Sequence, residues 1–128
     1  SFFYQKEFSQ LNTTDKEIAK ENFQGNFQEK KVKCQTIQNI LENSKYKNKK
    51  IDFLNIDVEG AEMKVLNTLN FEIYDPSLIC IEILGYREMQ SEQREKEIKN
   101  NEIFKFLVNH GYKKVWSGTS YCSHLFTK

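Results

Sequence analysis

Asp57 and Glu59 flank Val58 and are followed at once by Gly60, while a third acid, Glu82, sits among aliphatic residues in Leu78-Ile79-Cys80-Ile81-Glu82-Ile83-Leu84. Carboxylates brought together in this way can move protons, hold a hydroxyl-bearing substrate or bind a divalent cation. Glu82 makes the sharpest demand, because a carboxyl among aliphatic side chains must find hydrogen-bond donors or keep its proton.

The elements that must position these acids are legible in the flanking pattern. Ile51, Phe53, Leu54, Ile56 and Val58 occupy both alternate sets of positions, which predicts a strand over 51–58 buried on two faces. The chain then turns through Asp57, Glu59 and Gly60. After the turn the period changes: Ala61, Val65 and Leu69 share a helical face with Leu66 beside it, and Glu62 and Lys64 are expected to point elsewhere. The second aliphatic run begins just after Pro76, completing a β-α-β unit. Such crossovers are right-handed and leave their strands parallel, so the acids gather at one edge of the sheet. Ligands of open α/β sheets bind beyond that edge.

The stretch 51–69, with the core Ile56-Asp57-Val58-Glu59-Gly60-Ala61-Glu62, followed by Pro76 and Ile81-Glu82-Ile83, resembles the second half of the FkbM-type methyltransferase domain. Asn55 stands where that family usually carries Lys. The resemblance implies an S-adenosylmethionine-dependent methyltransferase, with O-methyl transfer to a hydroxyl of a sugar, lipid or secondary metabolite. It implies an α/β fold: a partial Rossmann-like methyltransferase sheet, with a parallel β-α-β core and a C-terminal antiparallel hairpin. It also places Asp57 and Glu59 along the cofactor and substrate edge. Asp57 is then expected to lead as base or hydrogen-bond acceptor and to edge the cofactor. Glu59 orients it or caps the following helix, the latter stabilising by about 0.3–1 kcal/mol without catalysis. Glu82 is the third catalytic candidate, facing the methyl acceptor.

Cofactor cradles of this kind depend on a Gly-rich turn after the first strand. Gly25, Gly60, Gly85, Gly111 and Gly118 are scattered singly. By resemblance the donor-binding strands precede residue 1, so residues 1–128 are expected to form a single, incomplete domain, its C-terminal half, inactive alone and with an exposed sheet edge open to self-association.

The 128 residues suit one small domain. Nineteen basic and eighteen acidic residues leave a net charge of +1, which argues against a non-specific nucleic-acid or anionic-membrane binder. No run approaches the roughly 20 apolar residues of a spanning helix. Cys34, Cys80 and Cys122 show no Cys-x-x-Cys pairing and read as small buried hydrophobes in a reducing, cytoplasmic setting, with no metal site.

Elsewhere, Phe2-Phe3-Tyr4 reads as a strand, and Thr14 with Glu17 as a capping box for a surface helix through 22. Residues 32–35 alternate as an edge strand, and Thr36 caps a helix in which Ile37, Ile40 and Leu41 share one side. The basic run 45–50 reads as a solvated loop. Residues 89–101 form a polar, lid-like or solvent-facing insertion, and 103–108 an amphipathic helix ending at His110-Gly111. Residues 112–116 and 121–126 read as an aromatic hairpin. His110, His124 and the aromatic residues, Trp116 included, are assigned structural or core roles. Two further classes stay open: a divalent-metal-dependent hydrolase using Asp57, Glu59 and Glu82, and a non-catalytic assembly module.

Overall fold

Aromatic residues at the start of the chain favour extended backbone, and β1 (Phe2–Tyr4) is a strand. Helix α1 (Lys16–Phe23) follows, and β1 then pairs antiparallel with β2 (Gln28–Lys30). These coordinates are a computed structural model that describes residues 1–6, 9, 11–83, 90–118 and 122–128. The cap of α1 is Asp15 rather than Thr14: its carboxylate accepts the N–H groups of Glu17 and Ile18 at 2.9 and 3.3 Å. Ala19 and Phe23 bury against Phe3 and Phe27, so α1 supports a small core of its own rather than lying on the surface. The edge strand expected at 32–35 forms earlier, because β1 offers partners only to residues 28–30. Val32 and Cys34 are consequently exposed.

Helix α2 (Ile37–Glu42) is capped by Thr36, whose hydroxyl accepts the Asn39 N–H at 3.2 Å. Ile37 and Leu41 reach the main core, whereas Ile40 faces solvent, against the expected shared side. Next come β3 (Phe53–Ile56), α3 (Glu62–Leu66), α4 (Phe71–Tyr74) and β4 (Leu78–Glu82). β3 and β4 are parallel, as the β-α-β pattern requires, with Leu54 opposite Ile79 and Ile56 opposite Ile81. Two-sided burial of the first strand is not what forms. Leu54 and Ile56 are buried, but Phe53 is 55% exposed and Val58 is exposed as well. The reason lies in the packing partners: Leu66, Leu69, Leu107, Tyr112 and Phe126 all gather with the Leu54 and Ile56 face.

Helix α5 (Ser91–Asn100) buries Ile98 and ties Glu95 to Lys114 by an ion pair of 2.6 Å. The polar stretch is therefore an anchored helix. Asn101 caps α6 (Glu102–Asn109) by accepting the Ile103 N–H at 2.8 Å, and Gly111 at φ +87° ends it. β5 (Lys113–Ser117) and β6 (Ser123–Thr127) form the expected hairpin, and β6 also pairs antiparallel with β4, giving the order β3-β4-β6-β5. Trp116 is not core: register carries it to the same sheet face as Asn55 and Leu125, where it is half exposed. None of the three cysteines is fully buried, Cys80 and Cys122 being intermediate. The expected strand end at Leu84, the turn through Gly85, Met89 and the hairpin start at Tyr121 lie outside the described residues. No helix among the described residues is long and apolar enough to cross a membrane.

Candidate functional site

Parallel pairing of Ile56 with Ile81 brings the next residues, Asp57 and Glu82, to the same end of the sheet. Glu59 folds back toward them. One carboxylate oxygen from each of Asp57, Glu59 and Glu82 lies within 4.8 Å of the others, so all three acids singled out in the sequence come together.

Their environments differ. Asp57 is exposed, whereas Glu59 and Glu82 are half-buried. Glu82 Oε2 is shielded from water and has no hydrogen-bond partner among the described residues. Burial, followed by the charges of Asp57, Glu59 and Glu62, pushes the Glu82 carboxyl up to about 7. Burial, then Asp57 and Glu62, likewise raises Glu59. The Cys80 thiol is pushed up by its own burial and then by Asp57. The site thus pairs a solvent-reached acid with a neighbour that holds a proton near neutrality.

Glu59 does not cap the following helix. The position before α3 is Ala61, which makes no side-chain cap bond. Glu59 instead adopts φ +52° and Gly60 φ +92°, two consecutive left-handed residues. Holding that turn falls to Glu62. Far from pointing elsewhere, Glu62 is only 4% exposed, and its Oε1 accepts the Val58 N–H at 3.1 Å and the Gly60 N–H at 3.2 Å. The sequence signal was there to be used, because a glutamate in the first turn of a helix commonly reaches back to free main-chain amides. On the other side, the Thr13 hydroxyl donates to the Glu59 carbonyl.

The remaining candidates are structural. His110 stacks on Phe106 with ring centres 4.2 Å apart, its Nδ1 2.8 Å from the Phe106 carbonyl oxygen. His124 is buried in β6 with Nδ1 2.9 Å from Ser117 Oγ. The basic run is exposed, and its Lys50 pairs with Asp75 at 2.8 Å. The three acids stand close enough to share a cation, but among the described residues no histidine or cysteine joins them. Two of the three also bind protons more tightly than ordinary carboxylates.

The model of the Methyltransferase FkbM domain matches residues 2–114. Comparison with curated proteins and with solved structures gives no match.

Proposed function

The chain belongs to the FkbM methyltransferase family, and we propose that it serves S-adenosylmethionine-dependent O-methyl transfer to a hydroxyl of a sugar, lipid or secondary metabolite. One observation carries this reading: Asp57, Glu59 and Glu82 converge at the carboxyl edge of parallel β3 and β4 in a chain of that family. When bound, S-adenosylmethionine supplies a methyl carbon on a sulfonium leaving group. Asp57, open to solvent, would accept the proton that the acceptor hydroxyl gives up when that hydroxyl's oxygen is methylated. Glu82, holding a proton near neutral pH, donates a hydrogen bond to the acceptor, and Glu59 orients Asp57.

Asp57 would edge the donor, but a Gly-rich cradle does not occur in these 128 residues. In this reading they supply the acceptor side of a Rossmann-like sheet, hold the donor weakly by themselves and work in the cytoplasm. Calorimetry with S-adenosylmethionine tests the weak binding, which a micromolar isotherm overturns. Transfer of a labelled methyl group from millimolar donor to hydroxylated sugars, lipids and secondary metabolites tests the reaction. Transfer abolished in Asp57→Asn supports it, and transfer that Asp57→Asn leaves unchanged counts against it. β3 lies at the border of its sheet, and pairing of two copies along it would appear in light scattering.

A further inference from the structure

A residue in the left-handed region without being glycine is strained, and such strain persists only where the surroundings over-determine it. Glu59 at φ +52° is such a residue, and Gly60 beside it extends the same twist. Two groups hold this turn from opposite sides. Glu62, a buried carboxylate, gathers the Val58 and Gly60 N–H groups onto one oxygen. Thr13, only 1% exposed, donates its hydroxyl to the Glu59 carbonyl at 2.7 Å and accepts the Asp15 N–H at 3.1 Å. The grip on Glu59 therefore joins the N-terminal unit of β1 and α1 to the acidic edge of the main sheet.

We infer that Glu62, assisted by Thr13, is the positioning residue of the acidic site: it fixes the strained turn that brings the Asp57 and Glu59 carboxylates against Glu82. Its relevance to catalysis rests on the methyltransferase reading above; the clamp itself does not.

The choice of an acid for this task is informative. A glutamine could accept the same two N–H groups without adding a negative charge beside Asp57, Glu59 and Glu82. Charge-assisted hydrogen bonds are roughly twice as strong as neutral ones, which favours the carboxylate as a clamp. Its charge also contributes to the raised proton affinity of Glu59 and Glu82. Glu62 therefore does two things at once: it sets where the acids stand, and it helps its neighbours keep their protons.

Glutamine and alanine substitutions separate these effects in the full chain, with no donor or acceptor present. In Glu62→Gln, the Val58 and Gly60 amide resonances are expected to stay near their wild-type positions, while the carboxyl-carbon titration of Glu82 moves modestly down. In Glu62→Ala, exchange protection at Val58 and Gly60 is expected to fall about tenfold or more. The Glu82 midpoint should drop below that of the glutamine variant as Asp57 and Glu59 swing away. A folded Glu62→Ala protein with unchanged protection at both amides and the same Glu82 midpoint as Glu62→Gln overturns the inference. Should Glu62→Ala not fold, Thr13→Val and Thr13→Ser decide through the same resonances. Serine should preserve the turn and valine release it, and indistinguishable spectra would overturn the clamp. Methyl transfer that Asp57→Asn leaves unchanged counts against the proposed function alone, because these spectra need no reaction.

Discussion

The Tyr112 hydroxyl donates to the main-chain carbonyl of Pro76 at 2.6 Å in a buried setting, joining the start of the hairpin to the entrance of β4. Burial and then Asp75 push this phenol up to about 12, so it remains a donor throughout the neutral range. Tyr112→Phe leaves the carbonyl without that donor and is expected to destabilise the fold by about 1–3 kcal/mol, read as a lower urea midpoint at unchanged slope. An unchanged midpoint would show that water replaces the bond at no cost.

Glu82 makes stability depend on pH in a predictable direction. Its carboxyl titrates near 4.5 when unperturbed and near 7 in the fold. Between those values the unfolded chain has lost a proton that the native chain still holds, so stability falls as pH rises through this window and levels off above it. Glu82→Gln is expected to flatten that decline. Thermal melts at half-unit steps from pH 4 to 8 give the slope for both proteins, and identical slopes would remove Glu82 from the account.

Asp57 is the charge that Glu59, Glu82 and Cys80 all feel. Asp57→Asn is expected to lower the proton affinity of all three, with little loss of stability because the side chain is exposed. Carboxyl-carbon titration reads the two glutamates, and the rate of thiol alkylation against pH reads Cys80. Under the proposed function, in which Asp57 acts as base, the same substitution should cost about 10²–10⁴-fold in methyl-transfer rate.

Leu66 is fully buried on the helix that follows the acidic turn, packed in the core shared by β3 and β4. Leu66→Ala is expected to cost about 2–5 kcal/mol in urea unfolding. A loss below about 1 kcal/mol would mean that α3 settles into the space.

Local pattern was enough for what depends on neighbours in sequence. Alternating and helical periods gave parallel β3 and β4, and from them the meeting of Asp57, Glu59 and Glu82; the Gly111 helix stop and the terminal hairpin were equally readable. What escaped depends on distant parts of the chain. The apolar residues of 51–58 looked covered on both sides, yet Phe53 is exposed because burial of the second face depends on what packs against it. Glu62 escapes because the helical pattern in the sequence runs from Ala61 through Leu69, whereas α3 spans only Glu62–Leu66. In so short a helix, its first residue is free to turn back toward Val58 and Gly60. The Thr13 contact to Glu59 spans forty-six positions and leaves no local trace.

Among the described residues the sheet is upholstered on one side and only partly covered on the other, where Phe53 and Trp116 stand 55% and 50% exposed. Trp116 is the chain's single tryptophan, so this protein carries a built-in fluorophore on its partly covered surface. Its indole emission in dilute solution is expected to be red-shifted by water, and whatever dries that surface should announce itself as a shift toward blue.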